Sequence, residues 1–405
     1  MSRPLLYVAY PMRLDLSAAN AVQTYNTVRE LRLVIPRMRL VVPRWLNEPS
    51  AFEDLHALHL PRPAVNKLSR IVPWAGWSYI ERTLFSLMLV ILLAGWRLWG
   101  SGYRVLYVRD AVCAAWLCLL RAVHGARVVY EVHDLESTHP GRAPRWPEGL
   151  WRRFLLWLDR LALTRSCRLV SLTGTFKRWV VARGLRHAGD VAVIPDAFDP
   201  ALYFPMDRHM ARGAVGLPVD ALIIGYAGLT FAYRGLDLLV EAFARLQHEF
   251  RGEGELMLVL VGGRPHEVRE LRALAARLGI NPRRLVLAGR LSQAATALYL
   301  NAADVLVIPD TVTTMTASPL KLFEYMAVGK PIVCKDMPAL REIVDESCAV
   351  FFREGSAQHL ADALRRVLSD RELASAMGAS AAARARHYTY RARAARIAEV
   401  VYSCS

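Results

Sequence analysis

The sharpest chemistry in the chain is carried by Thr316-Ala317-Ser318-Pro319-Leu320-Lys321-Leu322-Phe323-Glu324-Tyr325-Met326, followed by Gly329 and Pro331. Ser318 suits the capping position of a helix, and Pro319 its first turn. Gly329 and Pro331 then stop it about ten residues on. The free N–H groups and positive dipole end of such a helix attract an anion. Lys321 falls in that first turn, where the dipole disfavours a cation. The chain holds only five lysines against 47 arginines, so the placement points to an anion above it. Glu324 is three residues further and shares the face of Lys321. A carboxylate there can accept hydrogen bonds from a vicinal diol. The bland alternative is a capped helix with an ordinary ion pair.

Four other segments offer polar groups after apolar runs. In 225–237, Gly228 lets a backbone approach a ligand, and Arg234 precedes the next helical stretch. An arginine there can bind two phosphate oxygens at once, or can be a plain surface residue. Gly262-Gly263-Arg264 and Gly289-Arg290-Leu291 each put glycine after an apolar run, where a nucleobase can lie against backbone. In 130–136, His133 and Asp134 sit where a strand should end; a functional histidine and one bonded structurally to Asp134 both fit. Asn20 and Gln23, after the first apolar run, read as site groups or helix caps.

These residues need elements to position them. Apolar runs at 5–10, 39–42, 105–108, 127–131, 169–172 and 191–194 form one series, and those at 222–227, 256–261, 285–288, 305–308, 331–334 and 349–352 a second. Helical periodicity fills most gaps, as at 236–250 and 267–278. Continuous apolar strands separated by helices predict parallel sheets covered on both faces. Two series in 405 residues predict an α/β chain of two doubly wound, Rossmann-like domains facing a central crevice. The expected domains are 1–200 and 201–388, joined through the proline-rich stretch near 194–205. A basic helix in 389–405 is expected to pack back on the first domain.

Net charge is +16 and uneven. Residues 1–200 hold 27 Lys and Arg against 15 Asp and Glu, a balance of +12; residues 201–405 hold 25 against 21, a balance of +4. The first half therefore suits an anionic surface, with no nucleic-acid motif. Residues 5–10 are too short for a leader core. The charge-free run 83–96 has 14 residues and reads as a buried or interfacial helix, since a span needs about 20. Trp74, Trp77, Trp96 and Trp99 beside it keep contact with a membrane surface open. Cys113, Cys118, Cys167, Cys334, Cys348 and Cys404 show no Cys-x-x-Cys pair, so reduced thiols in a cytoplasmic protein are expected. No Asp-x-Asp pair suggests a metal, and no cofactor is implied.

Taken together, these segments resemble the retaining glycosyltransferases of family 4, which have the GT-B fold. The resemblance spans nearly the whole chain and is strongest over 222–352. Residues 318–326 closely resemble the Ser-Pro-Leu-Lys-Leu-Phe-Glu-Tyr-Met form of that family's donor motif. Gly228 with Arg234, Val193-Ile194-Pro195-Asp196, the histidine segment 130–135 and the loop 17–23 are similar to family segments as well. The resemblance implies a donor that is a UDP- or GDP-linked sugar, and an acceptor that is a glycan, lipid-linked or small molecule. It implies that Arg234 and Lys321 neutralise the diphosphate, that Glu324 holds the ribose hydroxyls, and that His133 touches the donor sugar. Gly228, Gly262, Gly263, Arg290, Leu291, Thr316, Ser318, Pro319 and Leu320 would line the donor, with Asn20, Gln23 and Asp134 towards the acceptor. A role in cell-envelope or exopolysaccharide synthesis, at the inner face of the membrane, would follow. Three departures stand out, the first being that the loop after strand one lacks the family's frequent paired glycines. Thr316 occupies the place of a frequent first glutamate, and Leu229 that of a frequent basic residue. The competing readings are a sugar-nucleotide epimerase of the same fold and a non-catalytic nucleotide-binding scaffold.

Overall fold

The computed structural model describes residues 3–72, 74, 76–138, 148–230, 234–250, 254–309, 315, 316, 318–353 and 355–404. Phe231, Ala232, Tyr233 and Ala317, which fall within segments read above, lie outside the described residues. Contacts divide the chain into two units. The first is Met1–Asp196 with Met315–Ala317 and Tyr390–Ser405; the second is Ala197–Thr314 with Ser318–Thr389.

The first unit is built on seven parallel strands: β1 (Arg3–Val8), β2 (Arg39–Arg44), β3 (Leu58–Pro61), β4 (Tyr103–Val108), β5 (Arg127–Val132), β6 (Arg168–Ser171) and β7 (Val191–Val193). Their order is β3-β2-β1-β4-β5-β6-β7, so the winding reverses between β1 and β4. Successive side chains point to opposite faces of a strand. Leu6, Val8, Leu106 and Val108 pack on one face with Phe85, Leu89, Val112 and Leu158. Leu5, Tyr7, Val105 and Tyr107 pack on the other with Val28, Leu31, Ile397 and Val401. Both faces are therefore covered, which is why these strands read as unbroken apolar runs. The strand β3 was not foreseen. It is a half-buried edge strand, and its sequence Leu-His-Leu-Pro is no continuous apolar run.

Two expectations need correcting in this unit. The charge-free run at 83–96 is only part of a 22-residue helix, Trp77–Leu98. Glu81 and Arg82 did not end it, because both are buried and paired. Arg82 meets Asp110 at 2.9 Å and Glu136 at 2.8 Å, and Tyr10 donates to Glu81 at 2.5 Å. Among the described residues this one helix is long and apolar enough to cross a membrane, by length and composition alone. Tyr79, Phe85, Leu89, Val90 and Leu93 bury one of its faces in the unit. The second correction concerns thiols. Cys167 and Cys404 are joined as a disulfide, at a sequence separation of 237. The fold sets the start of β6 beside the end of the helix Tyr390–Ser403, which no local spacing could reveal. Cys113, Cys118, Cys334 and Cys348 are free and buried.

The second unit has six parallel strands: β8 (Leu222–Ala227), β9 (Leu256–Val261), β10 (Leu285–Gly289), β11 (Val305–Ile308), β12 (Ile332–Lys335) and β13 (Ala349–Phe352). Their order is β10-β9-β8-β11-β12-β13. Leu239, Val240 and Phe243 cover the sheet together with Leu360, Leu364 and Val367. The winding reverses between β8 and β11. In such sheets ligands bind beyond the carboxyl ends of the strands at the reversal. The loop after β8 and the helix Leu320–Ala327, which follows β11, lie there.

Candidate functional site

The helix Leu320–Ala327 begins one residue later than the sequence suggests. Pro319 has extended backbone (φ −72°, ψ 124°) and occupies the capping position itself, with no side chain capping the N-terminus. Leu322, Phe323, Tyr325 and Met326 are buried and fix the helix to its unit. Gly329, at φ 67°, ends it in the left-handed conformation that only glycine takes easily.

Two tyrosines bolt this helix to the end of β8. The Tyr325 hydroxyl accepts from the Ala227 N–H at 2.8 Å and donates to its carbonyl at 3.2 Å. Lys321 donates from Nζ to the Tyr226 hydroxyl at 2.8 Å, and its ammonium lies 4.1 Å from the centre of that ring. Tyr226 in turn donates to the Leu229 carbonyl at 2.5 Å. Lys321 is only 9% exposed. Burial, with the charge of Arg234 nearby, pushes its pKa well below the usual lysine value. Glu324, on the same helix, is pushed the other way. Burial raises it to about 7, against a hydrogen bond from Tyr203 and the charge of Lys321. A cation short of counter-charge and a carboxylate ready to be neutral thus share one helix. An arriving dianion would satisfy the first, and hydroxyl donors the second.

Glycines make room at this corner. Gly228 has φ 147°, and a Cβ there would lie 3.0 Å from Lys321 Nζ. Gly262 has φ 117°, and a Cβ there would fall 1.9 Å from the Gly228 carbonyl oxygen. The loops after β8 and β9 therefore touch through bare backbone. The Gly262 N–H is bonded to Gly289 at 2.6 Å, which draws in the end of β10. Gly263 packs against Thr230, whose hydroxyl donates to Glu267 at 2.6 Å. Arg290 and Leu291 follow β10 and are exposed. Lys321, Glu324, Arg234, Gly228, Gly262 and Gly263 are accordingly gathered at one sheet end. Ser318, Pro319 and Leu320 lead into the helix there.

In the first unit, His133 follows β5. Its partner is Glu131, not Asp134. A Glu131 oxygen lies 2.5 Å from His133 Nε2, while Arg109 directs Nε–H and Nη2–H at the same atom from 3.0 and 2.9 Å. Burial, then Arg109, lowers His133 to about 4, so the ring is neutral. Among the described residues its hydrogen-bond contacts all meet Nε2. Gln23 is buried and accepts from Arg109; Asn20 is exposed on the first turn of the helix Ala19–Val34, its carbonyl accepting from Thr24 at 2.7 Å. Neither side chain caps the helix. Met315 and Thr316 group with this unit, and Thr316 donates to Asp134 at 3.3 Å.

Sequence reasoning missed five residues around these groups. Tyr226 looked like one more apolar strand position. Tyr325 had a signal, being four residues after Lys321 on the buried face. Tyr203, Arg109 and Arg393 had none, because only the fold brings them close.

Two Rossmann-like units with parallel sheets of seven and six strands make the GT-B fold, and solved structures share it. The sucrose-phosphate synthase of Thermosynechococcus elongatus is similar over 98% of each chain, with TM-score 0.76 at 18% identity. The HepE protein of Anabaena in complex with UDP is similar over 98% of this chain and 99% of that one, with TM-score 0.74 at 17% identity. At the level of sequence, residues 221–370 match the family described as Glycosyl transferases group 1. The D-inositol 3-phosphate glycosyltransferase of Stackebrandtia nassauensis is 29% identical over 288 residues, which are 68% of this chain and 62% of that protein. The chain spans about half the length of the curated relatives it matches. The matched family and the relatives so named support an enzyme that transfers sugars.

Proposed function

We propose that this chain is a retaining glycosyltransferase of family 4 that takes its sugar from a UDP- or GDP-linked donor without a metal. The observation that carries the reading is Lys321: a buried amino group, held on the Tyr226 hydroxyl in the first turn of a helix at the sheet's reversal point. Lys321 and Arg234 neutralise the diphosphate as it leaves, which is charge stabilisation aimed at the transition state. Glu324 accepts from the ribose diol. His133 meets the donor sugar. The bond from the anomeric carbon to the diphosphate oxygen breaks as the acceptor hydroxyl bonds to that carbon from the same face. The hydroxyl proton passes to the leaving phosphate, so no conventional base is assigned. Similarity to a protein solved with UDP supports the nucleotide end of this reading. The acceptor is a glycan, lipid-linked or small molecule of cell-envelope or exopolysaccharide synthesis. The test is incubation with a panel of UDP- and GDP-sugars and mixed acceptors, followed by the anomeric configuration of the product. Transfer with inversion contradicts the reading, as does an epimerised donor formed with no acceptor present.

A peripheral place at the inner face of the membrane belongs to the same proposal. The helix Trp77–Leu98 leaves Ile80, Leu84, Leu87 and Ile91 on its outer face, Ile91 at 72% exposure. That spacing makes one apolar ridge, and the first 200 residues carry a balance of +12 suited to anionic lipid. The Leu84→Asp and Ile91→Asp proteins should lose sedimentation with phosphatidylglycerol vesicles while keeping their melting temperature. Equal sedimentation of wild type with anionic and neutral vesicles contradicts it.

A further inference from the structure

We infer that Arg393, far along the chain in the helix Tyr390–Ser403, is a positioning residue for His133 and acts through Glu131. This rests on the reading that His133 meets the donor sugar. Glu131 is fully buried at the end of β5. One of its oxygens faces His133 Nε2 and Arg109 Nε, the latter at 3.2 Å; the other accepts from Arg393 Nη2 at 2.6 Å and from the Tyr107 hydroxyl. Arg393 also donates from Nη1 to the Ile194 and Pro195 carbonyls, at 2.9 and 2.6 Å. It is 3% exposed, so its place is fixed. The C-terminal helix therefore supplies one of the two guanidinium groups that hold the carboxylate beneath His133.

The electrostatics follow from that geometry. Burial opposes ionisation of Glu131, yet Arg393 and Arg109 hold its carboxyl well below the usual range. The charged groups that face His133 are Arg109 at the end of β4, Glu131 on β5 and Arg393 on the terminal helix. Burial, then Arg109, favours the neutral ring; Glu131 opposes them, and Arg393 adds to them both directly and by compensating Glu131. Tyr7 from β1 and Gln23 and Thr24 from the helix Ala19–Val34 border Arg109 as uncharged groups, and Asp196, which burial raises to about 7, faces Arg393, Glu131 and Arg109. Without Arg393 the carboxylate is half-compensated. An imidazolium then becomes easier to form, and the ring's hold on Glu131 and Arg109 changes.

The experiment compares wild type with the Arg393→Gln and Arg393→Lys proteins, reading melting temperature, kcat and donor KM against pH, and the 15N signals of His133. In wild type His133 stays neutral down to about pH 4. Arg393→Gln should move the acid limb of kcat and the His133 titration upward by about one pH unit or more, with donor KM within about twofold. Arg393→Lys, which keeps the charge, should restore the limb. The inference is overturned if wild-type His133 titrates near its ordinary value, or if the Gln protein loses activity equally at every pH. It is overturned too if the Gln protein keeps both the wild-type limb and the wild-type kcat. Should Arg393→Gln not fold, the wild-type titration and the Lys protein decide alone, with a Lys limb displaced from that of wild type counting against it. The His133→Ala protein separates the two claims. If its activity is unchanged, the reading of His133 at the sugar has failed; if it is inactive while Arg393 leaves the limb unmoved, only the present inference has.

Discussion

Replacing Lys321 with methionine keeps the unbranched stem, one atom shorter, and removes the charge. The account expects opposite effects on activity and stability. An ammonium and a diphosphate oxygen about 4 Å apart attract by about 4 kcal/mol at the effective dielectric near a protein surface. Most of that is realised as the diphosphate departs. At about 1.4 kcal/mol per tenfold, kcat/KM should fall about a hundred- to thousandfold, the cost usual for losing one preorganised donor at developing charge. Stability should move the other way. Burial, then Arg234, holds the folded pKa of Lys321 well below its usual value, so the unfolded chain binds that proton more readily. At neutral pH the charged form therefore costs stability, and the cost shrinks as pH rises towards the unfolded value. The methionine protein should be as stable as wild type or more so, by about 0.5–2 kcal/mol, as is common when a functional site gives up a strained group. Nucleoside diphosphate release, read alongside the melting temperature, decides. Activity within about threefold of wild type, or a lowered melting temperature, refutes the reasoning, because Lys321 would then serve the fold and not the donor.

Glu324→Gln should abolish transfer and also flatten a pH trend. With its folded pKa raised to about 7, Glu324 contributes stability that is present below its unfolded value of 4.5 and lost as pH rises through about 7, so melting temperature measured from pH 5 to 8 should fall less in the variant. Gly262→Ala puts a Cβ 1.9 Å from the Gly228 carbonyl oxygen at φ 117°; a loss upward of about 2 kcal/mol by denaturant titration is expected, together with loss of donor binding. Turnover in EDTA should equal turnover without it if, as proposed, Lys321 and Arg234 take the part of a metal; loss on chelation that added divalent cation restores contradicts this.

Much of the fold was legible because fully buried parallel strands announce themselves as unbroken apolar runs. The limits of β8, β9, β11 and β13 match those runs residue for residue. The edge strand β3 did not, since His59 and Pro61 interrupt it. The helix Trp77–Leu98 was read too short because Glu81 and Arg82 look like boundaries until their buried partners are known. At the candidate site, Lys321 and Glu324 could be found from local spacing alone, as both belong to one turn of one helix. Their supports could not. Tyr226 is 95 residues from Lys321 and Arg393 is 262 from Glu131, so their contacts exist only in the folded chain. Thr316 shows the same limit. Two residues before Ser318 in sequence, it bonds to Asp134, 182 residues away along the chain.

The central claim is that the helix bearing Lys321 and Glu324 grips the diphosphate of a sugar nucleotide. Isothermal titration of UDP and of GDP, in EDTA, tests it most directly, with the matching nucleosides as controls. The account predicts saturable binding of one diphosphate, weak binding of its nucleoside, and a loss of at least about tenfold in affinity in the Lys321→Met protein. Equal affinity in wild type and Lys321→Met, or no binding of either diphosphate by folded wild type, would contradict it.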